Sequence, residues 1–362
     1  MRLIFAIPLL LGLVLIGSLQ AQTIVELEKE LSKAVHKDTN WVLLAIRVGD
    51  MYADAKDFEK SHKYFQEALK HSQKMKYPNG LIKSYYFMAL AYRNEGKYKL
   101  SEENHLKAIE LAKEKKDENQ LMRSYLNIGN TYRNMGIYDK ALDSYLKSLE
   151  IAQMQKNQRI ESANYNNIGE IYRFQANISK ALEFYEKALK INREIRDERQ
   201  VAANLNNIGT IYIRQFQYEK AKSYLTESLA FSEKLNNKRL IMLNSINLGI
   251  VVLGKSQDKS SIETAMQYQS KAIEIAEELK DYYNLSIAKR NLARCYMFQK
   301  DYEQAEQLVE QAIGIAEKIE AKTEKANGYY DMIIIKVRIR HRSQRFNTHR
   351  VQIPFRIGGY SE

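Results

Sequence analysis

Apolar and polar residues alternate along most of the chain with a helical period, and the pattern itself repeats. Gly49, Ala89, Gly129, Gly169, Gly209 and Gly249 are spaced by 40 residues, and Tyr52, Tyr92, Tyr132, Tyr172 and Tyr212 follow three places behind with the same step. Ser61, Ser101, Ala141, Ala181 and Ala221 form another column in the same phase. Columns that keep one step mark an internal repeat, and that sets the architecture before any local reading. In the third unit, Tyr125, Ile128, Gly129 and Tyr132 share one helical face, and Ala141, Leu142, Tyr145, Ser148 and Leu149 make the apolar stripe of a second helix. Asp117, Asn157, Asp197 and Asn237 recur at the joins, where such residues cap helices and turn the chain. No single helix pair buries its apolar face alone, so neighbours must stack around a continuous core. The segment GKSQDKSSIETA lengthens one loop and shifts the next unit by four, to Ala265, Ala293 and Tyr296.

Three stretches carry a family resemblance: LNIGNTYRNMGIYDKALDSYLKSLEIA (126–152), YNNIGEIYRFQANISKALEFYEKALKI (165–191) and LNNIGTIYIRQFQYEKAKSYLTESLAF (205–231). Their small–Tyr–Ala–aromatic spacing, seen at Gly129, Tyr132, Ala141 and Tyr145, resembles the tetratricopeptide repeat (TPR). The usual repeat has 34 residues. The longer form is similar to the repeats of kinesin light chains, of spindle-orientation adaptors and of the extracytoplasmic sensor regions of bacterial two-component histidine kinases. The resemblance covers about residues 40–320, with departures at the glycine-free FMALAY of the second repeat and at the sixth-repeat insertion. It implies an all-α fold, a right-handed TPR superhelix (α-solenoid) of about seven helix-turn-helix repeats. It also implies a non-enzymatic interaction scaffold that holds a peptide or protein partner in a concave groove. Residues 22–39 then read as an N-terminal capping helix, 40–322 as the seven repeats and 323–332 as the start of an eighth.

Composition narrows this further. With 45% hydrophobic and 28% charged residues the chain has core material in excess of a disordered one, and its prolines stand only at 8, 78 and 354. One cysteine, Cys295, excludes an intrachain disulfide framework and any Cys-cluster zinc site. The net charge is +12, but residues 333–362 carry +6 of it and residues 22–332 only +5. Nucleic acid is therefore disfavoured as a partner, since the basic excess is largely a tail. That tail contains no Ala, Leu, Asp or Met. It reads as out-of-frame or truncated coding sequence, or alternatively as a basic tail for acidic partners. Truncation would make the chain the sensor part of a two-component receptor without its membrane span and kinase.

At the other end, LIFAIPLLLGLVLIG (3–17) follows Arg2 and precedes SLQAQ, the layout of a secretory signal cleaved after Ala21. An uncleaved anchor is the alternative. The run is shorter than the roughly 20 residues that span a bilayer comfortably, and it contains Pro8. The expected product is exported, periplasmic or extracellular, with no transmembrane span in the mature chain.

Catalytic and cofactor motifs are not found: no phosphate loop, HExxH, GxSxG or EF-hand spacing occurs. No cofactor or metal is expected, and the six histidines read as solvated surface residues. Cys295 falls in an apolar column and reads as a buried structural thiol. Trp41 reads as end-cap packing.

The informative surface lies opposite the packed stripe. At 100° per residue, Asn127 points roughly 150° away from the Gly129–Tyr132 face. Asn167, Asn207, Asn247 and Asn291 hold the same place in the following repeats. An amide both donates and accepts, which suits an extended peptide backbone. The same amides also suit hydrogen bonds between adjacent repeats. Arg93, Arg133 and Arg173 form a second column, with Arg214 one place late. Guanidiniums at a regular step favour carboxylates or phosphate, and hence an acidic ligand. Stacking over tyrosines or pairing with acids of the next repeat is the alternative. Oligomeric state and ligand identity are not encoded in any of these features.

Overall fold

The computed structural model describes residues 23–33 and 37–343, all in helices and short turns with no strand among them. The proposed signal segment 1–21 and residues 344–362 of the tail lie outside the described residues. Helix α1 covers 23–33. The chain then runs α2 (Thr39–Asp54), α3 (Phe58–Lys74), α4 (Pro78–Asn94), α5 (Tyr98–Glu114), α6 (Glu118–Asn134), α7 (Tyr138–Met154) and α8 (Gln158–Phe174). It continues with α9 (Ile178–Glu194), α10 (Glu198–Arg214), α11 (Tyr218–Lys234), α12 (Lys238–Lys255), α13 (Lys259–Glu278), α14 (Tyr282–Gln299), α15 (Tyr302–Lys318) and α16 (Lys322–Ser343). Two compact units result, residues 1–171 and 172–362, and the boundary falls inside α8.

The four joins after α5, α7, α9 and α11 follow one grammar. A residue in the left-handed region ends one helix, and the next residue caps the following one. Lys116, Lys156, Arg196 and Asn236 have φ between 49° and 56°. Behind them, Asp117, Asn157, Asp197 and Asn237 accept the backbone N–H three residues on. The recurring Asp/Asn column is thus the set of N-caps that the sequence suggests. The cap removes an orphan N–H, and the left-handed residue turns the chain within two residues.

Within a hairpin the first helix offers a small residue where the second inserts a ring. A Cβ built on Gly129 would lie 2.6 Å from Tyr145 Cε1, and one on Gly49 would lie 2.7 Å from Phe65 Cε1. Gly209 faces Leu225 at 2.6 Å in the same way. The second repeat, which lacks the glycine, has Ala89 at this place, and its ring position holds the smaller imidazole of His105. The seventh pairs Ala293 with Val309 at the equivalent positions. FMALAY is therefore a compensated variant of the same packing.

In the first unit α1 docks by polar contacts. Glu28 accepts from Tyr52 at 2.8 Å and from Tyr64 at 2.6 Å, and Trp41 Nε1 donates to Leu31 O at 3.2 Å. Trp41 packs as expected, buried beside Val42, Ala45 and Ile46. In the second unit α16 continues as one helix through residue 333, where the repeat vocabulary changes. Ile334 and Ile335 are buried with Met332 against α14 and α15, while Ile333 is 62% exposed.

Candidate functional site

In the first unit the two polar columns bond to each other. Arg93 Nη1 donates to Asn127 Oδ1 at 3.0 Å, and Asn127 Nδ2 donates to the Tyr86 hydroxyl at 2.9 Å and to Arg123 O at 3.0 Å. Asn130 Oδ1 accepts from Tyr145 at 2.9 Å and from Asn167 Nδ2 at 3.2 Å. Arg133 pairs with Glu170 of the next repeat's first helix. Burial lowers the pKa of the Arg93 guanidinium and raises that of the Tyr86 hydroxyl. Asp50, half-buried beside Asp54, has its carboxyl raised to about 6, by burial first and the neighbouring acid second. These side chains are occupied with one another, as the inter-repeat alternative requires.

A further asparagine column recurs at the same step but turns inward. Asn164, Asn204 and Asn244 are wholly buried, with exposures of 0, 1 and 0%. Asn164 Nδ2 donates to Ser148 Oγ and Asn244 Nδ2 to Ser228 Oγ, both at 2.9 Å, while Asn192 donates to Asn204 at 2.7 Å. Its 40-residue step was visible, but only burial tells that it fastens each first helix to the second helix before it.

The second unit contains a groove. Its volume is about 410 Å³, and it is lined by first helices, from the end of α8 and the turn after it through α10, α12 and α14 to the start of α16. Arg173, Asn207, Asn247 and Asn291 of the expected set lie along it, joined by Asn206, Thr210, Arg214, Arg290 and Arg294. Arg173 stands over the Phe174 ring at 4.4 Å, and Asn247 Nδ2 donates to Thr210 Oγ1 at 3.3 Å. Asn291, 7% exposed like Asn247, differs in its partners: its Oδ1 accepts from Arg294 at 3.4 Å, and its Nδ2 is buried without a hydrogen bond among the described residues.

At the α14–α16 end two arginines meet two acids. Arg290 donates through Nε to Asp331 at 2.8 Å and through Nη1 to Glu324 at 2.6 Å. Arg294 Nη2 donates to Asp331 Oδ1 at 3.0 Å. All four residues are 5% exposed or less. Asp331 stands 40 residues after Asn291, so it takes the next rung of the asparagine column. That step was legible in the sequence; the burial of both arginines was not, since Arg290 aligns with Ile246 and Arg294 with Ile250 only after the four-residue shift.

Two other residues depart from or match their expected settings. His105, expected at the surface, is fully buried, with neither ring nitrogen bonded and its pKa depressed to about 3 by burial and by Arg93. Cys295 is buried as expected, and burial pushes its thiol up to about 12. Among the described residues no helix is long and apolar enough to cross a membrane, and no three His, Cys, Asp or Glu side chains gather as metal ligands.

Helical hairpins repeated along the chain, a small residue facing a larger side chain at the crossing, and polar first-helix faces define the repeat type. The chain belongs to the MalT-like TPR region family. The family pattern matches residues 43–336, which includes α16 beyond residue 332. No curated protein matches the chain. Among solved structures, this TPR region is similar to the apo form of RapI, with 16% identity and a TM-score of 0.62 over 77% of this chain and 99% of that one. It is also similar to the STAND protein PH0952 from Pyrococcus horikoshii, which has a tetratricopeptide repeat sensor; the identity is 19%, the TM-score 0.65, and the coverage 80% of this chain and 44% of that one. A Rap protein complexed with Competence and Sporulation Factor matches at 16% identity and TM-score 0.56, over 89% of this chain and 94% of that one. At these identities the likeness shows the fold: the protein is a TPR-type helical repeat scaffold.

Proposed function

We propose that the groove of the second unit binds an extended peptide, and that the protein works as an exported peptide-binding scaffold. The observation that carries this is the groove itself, about 410 Å³ walled by amide- and guanidinium-bearing first helices. Volumes of this size suit a few residues of an extended ligand. Asn207 and Asn247 line it with amides, a group that suits a backbone of any sequence, while Arg173 and Arg214 favour an acidic group on the ligand. The Rap neighbour complexed with Competence and Sporulation Factor supports a ligand-binding reading. The N-terminal apolar run supports export, and the resemblance to histidine-kinase sensor regions supports a role in signal reception, with the output domain supplied elsewhere.

The test is affinity capture from a random-sequence peptide library by the full chain, repeated with Asn207→Ala and Asn247→Ala. Each lost hydrogen bond should cost roughly 0.5–1.5 kcal/mol of binding, nearly independent of salt. The Arg173→Ala defect should shrink at high salt, because exposed charges are screened. If the library yields no binder, or both asparagine variants bind like the parent and only melt earlier, the peptide assignment fails. N-terminal sequencing of the secreted product tests export separately: a chain that keeps residues 1–21 argues against cleavage.

A further inference from the structure

The α14–α16 end of the groove has an unusual charge balance. Two guanidiniums and two carboxylates sit together with almost no solvent, so the quartet of Arg290, Arg294, Glu324 and Asp331 is neutral as a whole. Its bonds hold Arg290 through Nε and Nη1. Nη2 makes no hydrogen bond among the described residues, and Arg290 lines the groove. This nitrogen therefore presents N–H donors to whatever enters, from a side chain fixed at two other points. Tyr283 borders the same place, with its hydroxyl against Glu324.

A donor calls for an oxygen acceptor, and the charge count decides which kind. A carboxylate brought against a neutral buried quartet adds an uncompensated negative charge where water is scarce. It would also lie close to Glu324 and Asp331, which already hold both arginines. An amide carbonyl accepts the same hydrogen bond and adds no net charge. We infer that the α14–α16 end of the groove is a subsite for an uncharged acceptor, a peptide carbonyl or carboxamide, presented to Arg290 Nη2, and that Glu324 and Asp331 are the residues that exclude carboxylates from it. This deepens the peptide-binding proposal and rests on it for its biological ligand. It also divides the groove: acidic groups belong at the Arg173–Arg214 end, and neutral backbone at this one.

Glu324→Gln tests the inference, because it keeps the side chain's shape and an acceptor for Arg290 Nη1 while giving the quartet a net positive charge. Acetamide and acetate are the probes, added to the full chain at constant ionic strength. The reporter is the Tyr283 ring signal in NMR spectra, which reads this end of the groove. In the parent protein acetamide should shift Tyr283 saturably, and acetate should do so more weakly. In Glu324→Gln the preference should move toward acetate by about tenfold, the scale expected for one unit of charge in a partly buried site. Hydrogen exchange over α16 establishes that the variant is folded; if it is not, Asp331→Asn replaces it with the same expectation. Equal response to both probes in the parent, silence of Tyr283 to both, or an unchanged preference in the variant each overturns the inference. The two proposals separate cleanly. Library peptides that bind while Tyr283 ignores acetamide would retain the groove and remove this subsite. An acetamide response without any bound peptide would do the reverse.

Discussion

At the scale of single residues, His105 ties stability to pH. Its imidazole sits in the core with no hydrogen-bond partner, and its pKa is depressed to about 3. The folded chain therefore stays unprotonated there while the unfolded chain takes up a proton near the ordinary value of 6.5. Stability is thus full above that value and is lost as the pH falls toward 3, by roughly 1.4 kcal/mol per pH unit from this group. His105→Val, which copies the Ala293–Val309 pair of the seventh repeat, should remove that slope. Urea melts at pH 6 and pH 4 would show it, and an unchanged acid slope would place the sensitivity elsewhere. Single residues are also where the sequence was least legible. Asn127 and Asn207 look alike along the chain, yet Asn127 is committed to Arg93 and Tyr86 whereas Asn207 lines a groove. The difference arises from which neighbours each repeat supplies, and a repeat-averaged pattern does not record that.

At the scale of helices, the hairpin is a matched pair of a small residue and the larger side chain that packs on it, a ring in the first and third repeats. Gly129→Ala should cost about 1–3 kcal/mol, because its Cβ would meet the Tyr145 ring at 2.6 Å and a packed core yields little. Adding Tyr145→His should recover much of that loss, since Ala89 and His105 already occupy these positions one repeat earlier. Thermal melts of both singles and the double close the cycle; additive losses would show that the pair is not coupled. Helix existence, the caps and the hairpin step were all legible, because each follows from local periodicity and from turn chemistry. The end of the repeat pattern was less so. Ile333 and Lys336 lack the small and aromatic residues expected there, yet α16 runs on to Ser343. Its helical phase sends Ile334 and Ile335 into the core, whatever happens on the hairpin-forming face.

At the scale of the molecule, each hairpin contacts its neighbours only, so stability approximates a sum over repeats and their interfaces. In the second unit the last interface is held by charge as well as packing. Asp331→Ala would leave two buried guanidiniums short of a partner, a loss of about 3–5 kcal/mol. It should raise hydrogen exchange in α14 and α16 well before α10 responds. Uniform protection across these helices in the variant would show that packing alone holds α16. The joins between repeats carry a different implication, for how many repeats such a chain has. The joins at 116–117, 156–157, 196–197 and 236–237 are each a left-handed residue followed by an Asp or Asn cap, so cutting at one of them and resealing at the next restores the same junction. Deleting residues 117–156 would place Lys116 directly before Asn157, and the turn would read as it did before. The shortened chain should remain helical and melt cooperatively, which circular dichroism would verify. Repeat number is therefore free to change by whole units, with no loop to redesign and no cap to invent, and the length of the scaffold becomes a matter of copy count.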